Sequence, residues 1–284
     1  MQCGGTRHIH YRGINDKIKL WFLSDLHNGN AAASVKRFKQ DVKEIENDPL
    51  SFAMLGGDMC DFINFSDSRF DAGTVRSDIT IQNFKEHGKF LMSEVREWLR
   101  PIQHKIIASC YGNHEAVYQR KAENDLHAWL CVELGCLNLQ YGGLFDLVFV
   151  RSLKPFGLHP IGSPTSRNGA KSSKRVFMYH GAGAAATSGG KFNRLIRTMS
   201  IEADVIFMGH VHEQLAFRQT LLAANPTCTE LIYKYKLGVV SGSYLATYSE
   251  KTVSYGEMKG YSPTTLGAAK VTIIPRTGEF FGAI

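Results

Sequence analysis

A chain of 284 residues with 44% hydrophobic and 21% charged side chains can bury a sizeable core as one large domain or two small ones, with no need of disulfide staples. No apolar run approaches the roughly 20 residues that cross a bilayer, and the opening MQCGGTRHIHYRG lacks the apolar core of a signal peptide, so a cytoplasmic location with no membrane contact is expected. The formal charge of +7 is uneven: between Asp146 and Glu202 no acidic residue occurs, while Arg151, Lys154, Arg167, Lys171, Lys174, Arg175, Lys191, Arg194 and Arg197 all do, which predicts a positive field suited to a phosphate-rich partner.

In chain order, IKLWFLS at 18–24 reads as a buried strand, and Val35, Phe38, Val42 and Ile45 then share one helical face. SFAMLGG at 51–57 is a second strand, followed by a polar, weakly patterned stretch at 62–80 that reads as a loop over one face. Phe84, Leu91, Val95 and Trp98 make another helical stripe with Pro101 as its stop, and KIIASCYG at 105–112 is the third strand. Leu126, Leu130 and Leu134 follow at helical spacing, with Gly135 placed as a C-terminal cap. RVFMYHG at 175–181 and DVIFMGH at 204–210 are two more strands, separated by a helix whose stripe is Phe192, Leu195, Ile196 and Met199. The Gly/Ala-rich stretch at 181–191 fails the GxxxxGK[ST] spacing of a phosphate-binding loop, because Ala185 stands where the first glycine is needed.

Strands alternating with helices argue for an α/β layered fold with parallel pairing. From about 213 onward the chain changes to successive strands, and a second, mainly antiparallel sheet or sheet edge is expected there. The six cysteines, Cys3, Cys60, Cys110, Cys131, Cys136 and Cys228, show no CxxC pairing and are expected to be reduced, with Cys60 and Cys110 as packing residues.

The chemistry collects at the strand ends. They read Ser24-Asp25-Leu26-His27, then Gly57-Asp58-Met59-Cys60-Asp61, Gly112-Asn113-His114-Glu115, His180-Gly181 and Gly209-His210-Val211-His212. Ligands bind outside the carboxyl ends of strands in α/β sheets, so five strand ends are expected to converge on one rim. Imidazole with carboxylate suits Mn, Fe, Co, Ni or Zn rather than an all-oxygen Mg or Ca site. Seven candidate ligands exceed one tetrahedral ion, whereas two ions about 3.5–4 Å apart, bridged by a carboxylate, would use them all.

This ordered series, Asp-x-His, Gly-Asp, Gly-Asn-His-Glu, His and Gly-His-x-His, resembles the calcineurin-like metallophosphoesterase superfamily, from Asp25 to His212. The resemblance implies a four-layer α/β/β/α sandwich, two mixed sheets flanked by helices, over residues 1–284 as one domain. It implies two divalent ions, Mn foremost, with Asp25, His27 and His212 on one, Asn113, His180 and His210 on the other, and Asp58 bridging. A water activated between the ions would attack phosphorus in line, His114 would contact the phosphoryl group or protonate the leaving group, and Asp61 would orient His114. Glu115 has no assigned role beyond support or helix start.

Two departures narrow the substrate. Asp61-Phe62-Ile63 stands where the family's protein phosphatases carry Asp-Arg-Gly, and the metal-ligating tyrosine of purple acid phosphatases is missing from the same place. A phosphodiesterase or nuclease acting on nucleic acid or nucleotides is therefore expected, with Tyr118, Phe156, Phe177 or Phe192 available to stack bases. A phosphomonoesterase acting on small phosphates is the second reading, and a noncatalytic nucleic-acid-binding protein on the same fold is the third.

Overall fold

Leu20 and Phe22 face one way and Trp21 and Leu23 the other, yet all four are buried, because this strand is covered on both faces. The same holds for Phe52 and Met54 against Ala53 and Leu55, and for Val205 and Phe207 against Ile206 and Met208. A computed structural model describes residues 1–63, 67, 70–153, 157–159, 171–183 and 185–283.

The strands are β1 (Gln2–Tyr11), β2 (Ile18–Leu23), β3 (Ser51–Leu55), β4 (Ile106–Ser109), β5 (Leu137–Asn138), β6 (Gly142–Arg151) and β7 (Gly157–His159). They continue as β8 (Lys171–Tyr179), β9 (Val205–Met208), β10 (Leu215–Ala224), β11 (Leu231–Val240), β12 (Ala269–Ile274) and β13 (Glu279–Ala283). One sheet has the order β13-β12-β2-β3-β4-β5 and the other β10-β11-β9-β8-β6-β1-β7. Parallel pairing runs through β2-β3-β4-β5 and through β8-β9-β11, and both sheets are mixed. The helices are α1 (Val35–Asn47), α2 (Ile81–Phe84), α3 (His87–Leu99), α4 (Asn113–Ala122), α5 (Leu126–Leu134), α6 (Ser188–Thr198) and α7 (Tyr255–Met258).

Three apolar clusters define four layers. Leu20, Phe22, Met54, Leu147, Val176, Phe207 and Val271 fill the space between the sheets. Phe38 and Val42 of α1, Leu91 and Val95 of α3 and Leu130 of α5 cover the outer face of the six-stranded sheet. On the other side, Leu195 of α6, with Met199 just after it, packs on Phe177, Ile206 and Met208. The expected α/β/β/α sandwich is the architecture found. No helix among the described residues is long and apolar enough to cross a membrane.

Local expectations fare differently. The strands after residue 213 form antiparallel sheet edges, the second of the two expected forms: the β10-β11 hairpin extends one sheet beyond β9, and β12-β13 extends the other beyond β2. Pro101 follows the end of α3 at Leu99, as expected, and the chain goes on as a 3-10 helix from Arg100 to Lys105 with the proline at its start, where a missing N–H costs nothing. Ile196 lies on the solvent side of α6, 37% exposed, because the buried stripe is narrow and runs through every fourth residue, Lys191, Leu195 and Met199. Gly135 caps α5 at φ 65°, as its spacing requires. Cys60 and Cys110 are fully buried packing residues.

Lys105 closes the C-terminal end of α1. Its buried ammonium donates to the carbonyls of Ile45, Glu46 and Asp48 at 2.6, 3.1 and 2.9 Å, satisfying orphan helix acceptors with a positive charge. Lys105→Met keeps the aliphatic stem and removes the donors, and should cost about 1–3 kcal/mol of stability in urea unfolding. An unchanged midpoint would refute the cap.

Candidate metal centre

β2, β3 and β4 belong to one sheet and β8 and β9 to the other, so the five motif-bearing ends meet across the top of the sandwich rather than along one sheet. The turns are stitched together by backbone bonds, Asp25 N–H to Gly57 O at 2.9 Å, His27 N–H to Asp58 O at 2.9 Å and Gly209 N–H to His180 O at 3.0 Å. Across the gap between the sheets, the His210 N–H donates to the Asp25 carboxylate at 3.0 Å.

Asp25, His27, Asp58, His210 and His212 all adopt left-handed backbone, at φ 57°, 50°, 49°, 70° and 51°. Non-glycine residues enter that region at a cost of order 1–3 kcal/mol each, so five in one cluster mark a place where the fold holds strain for geometry. Gly57, at φ 89°, makes the same kind of turn without that cost. Gly112 is needed for a different reason: a Cβ there would collide with the Asp58 carboxylate.

Three groups of side chains bring their ligand atoms within 4.8 Å of one another: Asp25, His27 and His212; Asp58, His180 and His210; and His27, Asp58 and His114. Asn113 joins the second group, its Oδ1 lying 3.3 Å from His180 Nε2. All the candidates named from the sequence are thus gathered at one rim.

The hydrogen bonds decide which atoms face inward. His180 Nδ1 lies 2.7 Å from the Gly56 carbonyl, which can only accept, so Nδ1 carries a proton and Nε2 is the atom turned inward. Nε2 faces Asp58 Oδ2 at 3.2 Å and Asn113 Oδ1 at 3.3 Å, so three atoms able to ligate a cation surround one point. His27 commits Nδ1 to the Asp61 carboxylate at 3.1 Å, and its Nε2 is buried with no hydrogen-bond partner. Such an arrangement is satisfied by a cation, and the mixed imidazole, carboxylate and amide donor set fits a divalent transition ion.

The charges agree. Burial by itself would raise the Asp25 carboxyl, but His212 and His180 hold it down at about 2. Asp58 is likewise lowered well below the usual carboxylate range against its burial, by His180 and then His114. Burial would lower His180, yet Asp58 and Asp25 raise it to about 10, whereas burial and the charge of His180 lower His210 to about 4. Both carboxylates are therefore anionic in a dry site, and a cation placed among them would be strongly bound.

A family model described as calcineurin-like phosphoesterase matches residues 18–214. The chain belongs to this family. No curated protein matches it. As a calcineurin-like phosphoesterase it is a metal-dependent hydrolase of phosphate esters, and the His/Asp groups above supply the candidate ligands for its divalent ions. The matched span stops soon after His212, while β10, β11, β12 and β13 complete both sheets beyond it.

Other residues of this phosphoesterase do work that the motifs alone did not assign. Glu115 is buried and accepts the backbone N–H groups of Asp58 and Gly112 at 2.9 Å and of Met59 at 2.8 Å, lacing the β3 and β4 turns together. Asp61 serves two histidines through different atoms: its carboxylate takes His27, and its main-chain carbonyl takes His114 Nδ1 at 2.5 Å. Its carboxylate stands farther from His114, at 3.5 Å. Ser24 donates to Asp25 Oδ2 at 2.5 Å, and Ser243 donates to the Asp25 carbonyl at 2.9 Å from the far C-terminal side. From the 62–80 stretch, Arg76 reaches Asn28 Oδ1 at 2.5 Å and pairs with Glu94, bracing the turn after His27.

The acid-free basic segment is less positive than its composition implies. Arg175 pairs with Asp146, Lys174 with Asp204 and Lys191 with Glu213, at 2.9, 4.0 and 2.9 Å, because the fold brings acids from outside the segment onto it. Lys154, Arg167 and Phe156 lie outside the described residues. Among the candidate stacking rings, Phe177 is core, Phe192 packs edge-on against Phe217, and Tyr118 stacks on Phe62 at 4.7 Å.

Proposed function

We propose that residues 1–284 work as one phosphoesterase domain that hydrolyses phosphodiesters of nucleic acid or nucleotides in the cytoplasm. Asp25, His27 and His212 would hold one ion, Asn113, His180 and His210 the other, and Asp58 both, with Mn²⁺ as the first ion to supply. Divalent ions held there contribute Lewis acidity toward phosphoryl oxygens and bring water's pKa toward neutrality.

The observation that carries the catalytic reading is the pose of His114. With Nδ1 fixed on the Asp61 carbonyl, the His114 ring stands in the same 4.8 Å group as His27 and Asp58, and its Nε2 would, in the protonated ring, give a proton to the departing oxygen. Asp61 keeps His27 in the tautomer whose Nε2 faces the centre, and Glu115 fixes the Asp58 turn. The diester preference is supported by Phe62, buried after Asp61 and stacked on Tyr118, where a monoester-gripping arginine would otherwise stand.

With Mn²⁺ supplied, kcat/KM should favour a bis-aryl phosphate over the mono-aryl phosphate by about tenfold or more. A strong preference for the monoester would overturn the diesterase reading and favour small phosphomonoesters, a reading to which the neutralised cations of the basic segment already lend weight.

A further inference from the structure

Among the described residues β11 pairs with β9 only from Leu237 to Val240, so its first six residues, 231–236, are paired with residues 219–224 of β10 alone. At about 3.4 Å per residue, this two-stranded ribbon runs roughly 20 Å past the end of β9. It points away from the chemistry: β10 begins at Leu215, three residues after His212, and the turn of the hairpin lies at the other end of the strand. Two strands alone are marginal in water, so such a ribbon needs cover.

The two faces of the ribbon differ. Directly opposed residues of an antiparallel pair share a face, so Leu222 with Tyr233, Ala224 with Leu231, Thr220 with Tyr235 and Arg218 with Leu237 all lie on one. At Leu237 this face enters the core between the sheets, but beyond it Leu222, Leu231, Tyr233 and Tyr235 are 63%, 74%, 67% and 39% exposed. Its one charged side chain is Arg218, whose guanidinium carbon lies 3.9 Å from the centroid of the Tyr235 ring. Both lysines of the ribbon, Lys234 and Lys236, alternate onto the opposite face, and Lys236 donates to the carbonyls of Met199 and Ile201 at 3.1 and 2.8 Å.

A lysine-free apolar face is ill suited to a phosphate backbone, whose binding is driven by cations, and well suited to a second apolar face. Counting about 200 Å² for a whole tyrosine or leucine residue, the four exposed fractions come to roughly 500 Å². Buried on two chains at once, that is about 1,000 Å², enough for a specific interface. The outer edge of the ribbon is equally undefended: β10 is a ten-residue edge strand in unbroken register, with none of the lysine, proline or bulge that keeps natural edges from pairing.

We infer that the face bearing Leu222 and Tyr233 is a dimer interface, packed on the same face of a second copy of this chain about a two-fold axis. A contact of this kind closes after two chains. Tyrosines and leucines of one ribbon then cover those of the other, and both metal centres stay open at the far ends of the two molecules.

The test is the mass of the Mn²⁺-loaded full chain, measured by light scattering during gel filtration at micromolar concentration. The wild type should elute at twice the chain mass. Leu222→Lys with Tyr233→Lys should elute as a monomer, and so should Leu222→Glu with Tyr233→Glu, each keeping kcat/KM on the bis-aryl phosphate within about twofold of the wild type. Mixed in equal amounts, the two variants should regain the doubled mass, because opposite charges then meet across the two-fold; ribbons that had merely unfolded could not do so. A monomeric wild type overturns the interface and leaves the face to a different protein. A lysine variant that stays dimeric, or two variants that remain monomers when mixed, overturns it as well.

Discussion

Asp58→Asn should lower kcat by about 10²–10⁴-fold, the rate equivalent of uncompensating a buried charge cluster. The two oxygens of Asp58 have separate duties: Oδ1 accepts the His114 N–H at 2.9 Å, and Oδ2 faces His180 Nε2 at 3.2 Å. Asparagine can keep only one of them. If its carbonyl retains the His114 N–H, its amide points N–H groups at the place where His27, His180 and His210 converge, and the anion shared by both proposed ions is gone. The variant should still fold, since Glu115 holds the Asp58 turn by its backbone and not by its side chain. Metal content after gel filtration should fall by at least one ion per chain, a readout independent of turnover. Circular dichroism matching the wild type, full metal content and a kcat within about threefold would together sink the bridging role.

The sequence carried the site further than it carried the fold. Motifs such as Gly-Asn-His-Glu are local, and each strand that precedes one is apolar toward its carboxyl end, so a buried run stops where the chemistry begins. β1 is not legible in the sequence because its pattern alternates imperfectly: QCGGTRHIHY mixes polar and apolar residues, and only its end, from Ile9 to Tyr11, enters the core between the sheets. Partition of the C-terminal strands between two sheets was equally invisible, since strand pairing at long range depends on which faces remain open, not on local pattern. The role of Glu115 could have been glimpsed, because an acid at the third position of a helix following glycine often reaches back to free backbone N–H groups; that it also reaches the β3 turn required the fold. The basic segment erred in the opposite direction. Charge counted along the chain took no account of Asp204 and Glu213, which lie outside the segment in sequence and on it in space.

His114→Ala should lower kcat on nucleoside diesters by about 10²–10⁴-fold, the range expected for a positioned general acid, with a much smaller loss on nitrophenyl esters. The difference is the point of the experiment. An alkoxide departing from phosphorus needs a proton, whereas nitrophenolate leaves as a stable anion, so a proton donor matters only to the first. His114 is placed for this by three contacts: its backbone N–H on Asp58, its Nδ1 on the Asp61 carbonyl, and its ring edge-on to His27 with centroids 4.7 Å apart. None of these uses Nε2, which is left to face the substrate. The backbone bond to Asp58 survives the substitution, so the metal cluster should stay assembled and metal content should match the wild type. Equal losses on both leaving groups would mean that His114 binds the phosphoryl group in ground and transition states without transferring a proton. Equal and negligible losses would remove it from the reaction, and the proton would then have to come from solvent through the open side of the His212 turn, where that ring is 24% exposed against 0% for the His180 side chain.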